Sequence, residues 1–230
     1  MRIIWLNKNM RKIPLATGET YHIFCRSIAD FRVFNSEGEY DRMQQLIKYY
    51  RSDNSLRFSD FINLKLVQME GLSNAINIMS GDKEQLIGVV AYCLMPTHIN
   101  LILKQLIENG ISKFMKDLLI SYTRTFNQLH KRRGPLWESR FKNVLVESDE
   151  QLLHLTRYIH LNPVTAGLVD FPEDWIFSSY REYLGKVIEP AAICQFEEVL
   201  EIKPPSYRKF VNERISYQRE LAKIKNLIID

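Results

Sequence analysis

Alternating hydrophobic and polar positions predict a small antiparallel sheet in this chain. The run "LIGVVAYCLM" at 86–95 is short and rich in β-branched residues, which indicates a buried strand. After a break at Met95-Pro96, "HINLILKQ" at 98–105 predicts its antiparallel partner, since proline is tolerated at the start of a strand. Further strands are indicated at 20–28, where polar and apolar residues alternate, and after the Gly134-Pro135 turn, through residue 146.

Helical periodicity predicts three main helices between and after these strands. They span roughly residues 36–51, 112–132 and 148–161. The first begins at Ser36, a good N-cap residue, and the third opens with a capping-box pattern made by Ser148 and Gln151. The third is expected to close at Asn162-Pro163, because proline disfavours helical geometry at the residue before it.

The order of these elements, β-α-insert-β-β-α-β-α, is typical of an α+β fold in which an antiparallel sheet has helices on one face. We expect one domain over residues 1–185, interrupted at 52–80 by an insertion whose role the sequence does not show. Residues 186–230 are expected to form an appended helical, basic extension.

Composition places the chain among ordinary globular proteins. Its 230 residues are 46% hydrophobic and 25% charged, enough for one large domain with a real core. The longest apolar run is too short to span a bilayer, and the N-terminus lacks the pattern of a signal peptide. Three scattered cysteines, Cys25, Cys93 and Cys194, fit reduced thiols and therefore a cytoplasmic protein.

Positive charge is concentrated in one part of the chain. Residues 109–143 contain eight Lys and Arg residues but only two Asp and Glu residues. This excess of positive charge is larger than the net charge of +4 of the whole chain. Clustered cations of this kind are typical of proteins that bind a phosphate backbone, although a single cluster is more often a solvated helix face. The candidate DNA-binding residues are Lys113, Lys116, Arg124, Lys131, Arg132, Arg133, Arg140 and Lys142. A second basic region begins at Lys203 and includes Arg208, Lys209, Arg214, Arg219, Lys223 and Lys225.

His98 and Asn100 are candidate metal ligands. Successive strand residues point to opposite faces, so these two share one face while Ile99, Leu101 and Leu103 fill the other. An imidazole nitrogen and an amide oxygen can both bind a divalent metal. A lone histidine at the start of a strand is more often a hydrogen-bonded surface residue, so the pair by itself leaves both interpretations open.

His154, Tyr158 and Asn162 are spaced by four residues and form one polar stripe on the third helix. A tyrosine hydroxyl can attack a phosphodiester and form a covalent phosphotyrosine, which conserves the bond energy for rejoining. A metal ion would polarise the phosphate, and Asn162, one turn beyond Tyr158, could complete its site. The alternative is structural: Tyr158 packs between helix and sheet, and Asn162 only caps the helix.

Five stretches resemble, in order and spacing, the motifs of the REP-associated tyrosine transposases. They are "YHIFCRS", "AYCLMPTHINLIL", "GISKFMKDLLISYTRTFNQLHKRRGPLWESRFK", "YIHLNPVTAGLV" and "WIFSSYREYLG", and together they cover roughly residues 14–185. These enzymes are single-tyrosine HUH transposases, named for a histidine, a hydrophobic residue and a histidine. The resemblance implies a ferredoxin-like sheet and a metal-dependent transesterification on single-stranded or hairpin DNA. It assigns His98 to the first histidine of the metal motif, Tyr158 to the nucleophile and Asn162 to a helical metal ligand.

Asn100 departs from this pattern, because the motif has a second histidine there. An amide oxygen is a neutral and weaker ligand that favours hard ions such as Mg²⁺. The departure is compatible with a weak but working site for Mg²⁺ or Mn²⁺, or with a site that has lost activity.

Three functions fit these sequence features to different degrees. The leading one is a transposase or nickase that cleaves and rejoins single-stranded DNA, as a monomer or homodimer associated with the nucleoid. The second is a catalytically silent protein of the same fold that binds repeat hairpins. The third, an RNA-binding α+β module, is disfavoured because the aromatic motif of such domains is missing.

Four other residues are weaker candidates for a role. Tyr122 is a rival nucleophile, but its apolar neighbours one turn away predict a core position. His22 and His130 have no predicted partner and are expected to be structural or exposed. Trp137 fits core packing as well as base stacking.

Overall fold

The computed structural model describes residues 14–81, 83–138 and 140–220. In these residues the strands are β1 Thr20–Arg26, β2 Ile87–Met95, β3 His98–Gln105 and β4 Lys142–Leu145. The helices are α1 Glu37–Tyr50, α2 Phe58–Phe61, α3 Lys65–Glu70, α4 Leu72–Ser80, α5 Gly110–Leu129, α6 Asp149–Thr165, α7 Tyr180–Tyr183 and α8 Pro204–Asn212. All the predicted strands and main helices are present, although the last strand is shorter than expected.

The four strands form one antiparallel sheet in the order β2-β3-β1-β4. Strand β1 is central, with Arg26 opposite His98 on β3 and Phe24 opposite Asn100. A chain of the form β-α-β-β-α-β that places its strands in this order makes a ferredoxin-like sheet. The predicted α+β fold is confirmed.

Alternation along β3 separates a buried face from the face that holds the polar pair. Ile99, Leu101 and Leu103 are fully buried under α1 and α5. On the same face, Gln105 accepts a hydrogen bond from the backbone N–H of Ile111 at the start of α5, at 3.2 Å. Burial of each large aliphatic side chain contributes roughly 1.5–3 kcal/mol to stability. This packing keeps β3 in register and directs its other side chains to the opposite face.

The free edge of β2 is covered by the "WIFSSYREYLG" segment. The backbone N–H of Leu94 donates to Phe177 at 3.0 Å, and the N–H of Ser179 donates to Tyr92 at 2.9 Å. An unpaired strand edge is a template for aggregation, and this segment removes it. The second half of the segment forms α7, which these bonds hold beside β2.

The insertion at 52–80 is helical for most of its length. Its helices α2, α3 and α4 cover 19 of these 29 residues. Helix α4 begins at Gly71, where φ is +75°, and buries Ala75 and Ile76. Phe58 and Phe61 of α2 pack against Tyr49 of α1, so the insertion extends the core.

Helix α6 continues to Thr165, beyond the predicted end near residue 161. Pro163 has no N–H to donate to the carbonyl of Ile159. The helix is nevertheless extended by the bond from the Ala166 N–H to the Asn162 carbonyl at 2.9 Å, and Pro163 itself is buried. Tertiary packing therefore outweighs the local preference of proline, and Asn162 stays in helical register with the residues before it.

The C-terminal extension is only partly helical in the part that the structure describes. Residues 186–203 are turns and irregular chain with one short 3-10 helix, and α8 follows. Its Tyr207 hydroxyl contacts Nδ1 of His160 on α6 at 2.6 Å, while Nε2 of His160 contacts the Ser179 hydroxyl at 2.7 Å. Lys223 and Lys225 lie outside the described residues.

Candidate active site

A cleft of about 330 Å³ lies on the sheet face opposite α1 and α5. Its lining residues come from β1, from the β2–β3 hairpin and from α6: His22, Phe24, Arg26, Met95, His98, Asn100, Tyr158, Asn162, Thr165 and Ala166. The three predicted metal ligands, His98, Asn100 and Asn162, and the predicted nucleophile, Tyr158, all line this cleft. Alternation brings His98 and Asn100 to it from β3, and the spacing of one helical turn brings Tyr158 and Asn162 to it from α6.

Tyr158 has the exposure that a nucleophile needs. Half of its surface, 51%, is exposed, although the residues that follow it on α6, Ile159, His160 and Leu161, are buried. His154, the third member of the predicted stripe, does not line the cleft. Its Nδ1 contacts the Arg157 guanidinium at 2.7 Å, and its ring packs against Phe210 of α8.

His98 is held in its neutral form. Burial, with a smaller contribution from the Arg26 guanidinium, lowers its pKa to about 4, and Asp30 opposes the shift. Its Nδ1 contacts the Thr97 hydroxyl at 3.1 Å. Neutral imidazole is the form that binds a metal, so at neutral pH this side chain is ready to act as a ligand.

His22 is a cleft residue that the sequence reasoning missed. It lies on β1, and its Nε2 contacts Oδ1 of Asn100 at 3.2 Å. Burial lowers the pKa of His22, and the hydrogen bond to Asn100 partly offsets this. The signal was present in "TYHIFCR": the alternation that buries Tyr21 and Ile23 turns His22 to the face of the polar pair.

The donor set of the cleft suits a hard, weakly bound divalent metal. In residues 14–81, 83–138 and 140–220, no three His, Cys, Asp or Glu side chains form a metal-binding group. The cleft instead offers the imidazole of His98 and the amide oxygens of Asn100 and Asn162. These neutral donors fit Mg²⁺ or Mn²⁺ with water completing the shell, and they provide no charge to bind it tightly. When bound there, the ion would supply Lewis-acid stabilisation to a phosphate.

Cations on β1 and around β4 border the cleft. Arg26, Arg140, Lys142 and the Glu138 carboxylate line a small cavity beside Phe24, and both Phe24 and Arg26 also line the cleft. Arg140 lies at the edge of the sheet, since it also lines a pocket with Lys116 on the α5 side. The Lys142 ammonium lies 5.8 Å from the Phe24 ring centre. Arg26 was not among the predicted residues, although the alternation that turns His22 to this face turns Arg26 there too.

The predicted cations of α5 and the loop after it lie elsewhere. Helix α5 covers the other face of the sheet, so Lys116 and Arg124 are exposed on the side away from the cleft. Lys113 pairs with Asp53 in the insertion. Lys131 and Arg133 are exposed in the loop after α5.

Arg132 is engaged within the protein. Its guanidinium donates to Asn127 and to the Pro135 carbonyl, both at 2.9 Å, and lies over the Phe31 ring. These contacts stabilise the loop that follows α5, so a role for Arg132 in DNA binding would compete with them.

Three other candidates have structural roles. Tyr122 is buried in the core, where its hydroxyl donates to the Val33 carbonyl, and it does not line the cleft. His130 contacts the buried carboxylate of Glu39 in the capping box of α1. Trp137 is 9% exposed and donates to the Thr123 hydroxyl at 3.1 Å, which favours core packing over base stacking.

A known protein family matches the part of the chain that contributes the predicted ligands and nucleophile of the cleft. Residues 68–162 match the family model described as "Transposase IS200 like". The predicted resemblance to the tyrosine transposases is confirmed. The match includes His98, Asn100 and Tyr158 and ends at Asn162.

Two further proteins are similar to this chain. A Haemophilus influenzae protein, provisionally named a REP-associated tyrosine transposase, is 31% identical over 112 residues. The alignment covers 44% of this chain and 63% of the length of that tyrosine transposase. A solved structure entitled "Structure of the REP associates tyrosine transposase bound to a REP hairpin" has 14% identity and a TM-score of 0.48, covering 84% of this chain and 98% of that one. Among the described residues of this chain, no helix is long and apolar enough to cross a membrane.

Proposed function

We propose that this protein cleaves and rejoins single-stranded DNA at hairpin-forming ends through a covalent phosphotyrosine at Tyr158. One observation supports this most strongly: an exposed tyrosine shares a single cleft with His98, Asn100 and Asn162. The match to the IS200-like transposases covers all four residues. A DNA substrate would place the protein at the nucleoid.

The chemistry is a balanced exchange of ester bonds. The Tyr158 oxygen forms a bond to phosphorus while the bond from phosphorus to one deoxyribose oxygen breaks, and the phenolic proton ends on the released alcohol. One phosphodiester replaces another, so rejoining needs no external energy source. His98, Asn100 and Asn162 would hold the divalent ion. Arg26, beside His98, is placed to attract the phosphate by charge.

A second function, silent recognition of repeat hairpins, is supported by the donor set. The cleft has an amide at position 100 where the resembled motif has an imidazole, and it has no carboxylate among its lining residues. Such a site would bind the ion poorly. The fold and the cations around β4 would then serve DNA binding alone.

Covalent adduct formation distinguishes the two functions. The full-length protein is incubated with a hairpin-containing single-stranded oligonucleotide and millimolar Mg²⁺ or Mn²⁺, and the adduct is detected on a denaturing gel. We expect the wild-type protein to form it, and Tyr158→Phe to lose it while retaining DNA affinity within about twofold, because only a hydroxyl is removed.

Tyr217→Phe is the matched control, since Tyr217 is equally exposed, at 50%, and lies outside the cleft. It should form the adduct at the wild-type level. If the wild-type protein binds the hairpin but forms no adduct with either ion, the silent-binder function is correct. If Tyr158→Phe still forms the adduct, the nucleophile is another residue.

A further inference from the structure

Asn100 has a partner on the neighbouring strand. Asn100 is 6% exposed, and its Oδ1 lies 3.2 Å from Nε2 of His22. The contact is diagonal across the strand pair, because Phe24 is directly opposite Asn100 and Ile102 is directly opposite His22. Both side chains line the cleft.

His22 is placed to act on Asn100 rather than on an ion that His98 binds. His98 lies opposite Arg26, four residues along β1 from His22. Four strand residues span roughly 13 Å, and Asn100 lies between the two histidines. An ion held by His98 and Asn100 would therefore have His22 beyond the amide, where it supports Asn100 and does not act as a further ligand.

We infer that His22 is a positioning residue that orients the side-chain amide of Asn100 for metal binding. This rests on the proposed function, which requires an ion in the cleft. An Asn side chain can present its oxygen or its NH₂ group by a half turn, and only the oxygen binds a cation. An Nε2–H of His22 donates to Oδ1, occupies one of its two lone pairs and leaves the other for the ion.

The same arrangement would allow the Asn100 amide to bind the ion at a position where the resembled motif has an imidazole. A neutral amide gains little from charge, so its affinity for the ion depends on being held in the correct orientation. Residues that orient metal ligands commonly contribute 10- to 100-fold to metal affinity. His22 provides this orientation from β1, whose register with β3 is set by the buried face of the sheet.

A double-mutant cycle on the full-length protein tests the inference. Mn²⁺ affinity is measured by electron paramagnetic resonance of the free ion for wild type, His22→Ala, Asn100→Ala and the double variant. We expect His22→Ala to weaken binding by about tenfold, and the double variant to bind no more weakly than Asn100→Ala alone. His22→Gln, whose amide can also donate, should recover part of the loss.

His154→Ala is the control for histidines that bind Mn²⁺ outside the cleft, since His154 is half exposed and does not line it. It should leave the affinity unchanged. Three results would each overturn the inference. The first is unchanged affinity in His22→Ala, and the second is additive losses in the double variant. The third is that the wild-type protein binds no Mn²⁺ even at about 10 mM.

A measurement without metal separates orientation from general stability. In ¹⁵N NMR spectra of the metal-free protein we expect His22 to be protonated on Nε2, and the Asn100 side-chain amide signals to shift in His22→Ala. Protonation on Nδ1 alone would contradict the proposed donation. An adduct without energetic coupling would refute only the role of His22, whereas coupling without an adduct would refute only the proposed cleavage.

Discussion

At the scale of single residues, burial decides the protonation of His98 and His160. Burial lowers the pKa of the fully buried His160 to about 3. It also lowers that of His98 to about 4, with Arg26 as a second cause. Both side chains are neutral at physiological pH, but His160 is bonded at both nitrogens inside the core whereas His98 faces the cleft.

These shifts predict that the protein loses stability in mild acid. The unfolded chain takes up protons on these histidines near pH 6.5 and the folded protein does not, so the free energy of unfolding falls as the pH drops from about 6.5 towards 4. His160 alone should account for roughly 2 kcal/mol between pH 6.5 and 5. Urea unfolding across this range measures the loss.

Replacement of the histidines checks their share of that loss. His160→Gln should flatten the pH dependence by roughly 2 kcal/mol between pH 6.5 and 5, whatever its effect on stability at pH 7.5. His98→Gln, at a less crowded site, should flatten it in the same direction. Slopes equal to that of the wild-type protein in both variants would show that other groups are responsible.

The residues of the cleft were predictable where one local rule was enough. Strand alternation placed His98 and Asn100 on one face, and helical spacing placed Tyr158 and Asn162 on one side of α6. His22 and Arg26 obey the same alternation, but they were missed because the partner of β1 in the sheet is set by long-range packing. A hydrogen bond between residues 22 and 100 cannot be read from either strand alone.

At the scale of secondary structure, α6 is fixed from the side opposite the cleft. Arg157 lies over the Phe210 ring of α8 at 4.0 Å, and His160 bonds Tyr207. The partners in these contacts, Phe210 and Tyr207, lie about 50 residues further along the chain, so the sequence of α6 alone could not show them. They also hold the helix that presents Tyr158.

Removal of the Tyr207 hydroxyl should therefore destabilise the protein measurably. Tyr207→Phe leaves a buried nitrogen of His160 without a partner, at a cost of about 1–3 kcal/mol. Urea unfolding at pH 7.5 measures it, with the exposed Tyr217→Phe expected to stay within about 0.5 kcal/mol of wild type. A Tyr207→Phe variant as stable as that control would show that the extension does not stabilise α6 through this bond.

At the scale of the whole molecule, the sheet divides the predicted DNA-binding cations into two sets. Lys142, paired with Phe24 across the strands, lies on the cleft side with Arg26, whereas Lys116 and Arg124 project from α5 on the opposite side. Arg140 lies at the edge of the sheet, where it lines a cavity with Arg26 and a pocket with Lys116. The sequence could show that cations were abundant, but the face to which each belongs depends on the fold. A single strand that enters the cleft passes the first set directly and reaches the second only by wrapping around the sheet.

The salt dependence of DNA binding should reveal this division. For single-stranded DNA each neutralised phosphate adds about 0.7 to the slope of log affinity against log salt, so replacing Arg26 and Lys142 together with Gln should reduce the slope by about 1.4. Replacing Lys116 and Arg124 with Gln should change it much less, although the charge of the protein falls in both cases. Affinity is measured by fluorescence anisotropy of a labelled oligonucleotide between 50 and 300 mM salt, about the range over which such slopes are resolved. Equal reductions of the slope per charge in the two variants would mean that the strand responds to the overall positive charge of the protein. A larger reduction from the α5 variant would place the main DNA-binding surface on the helical face, away from Tyr158.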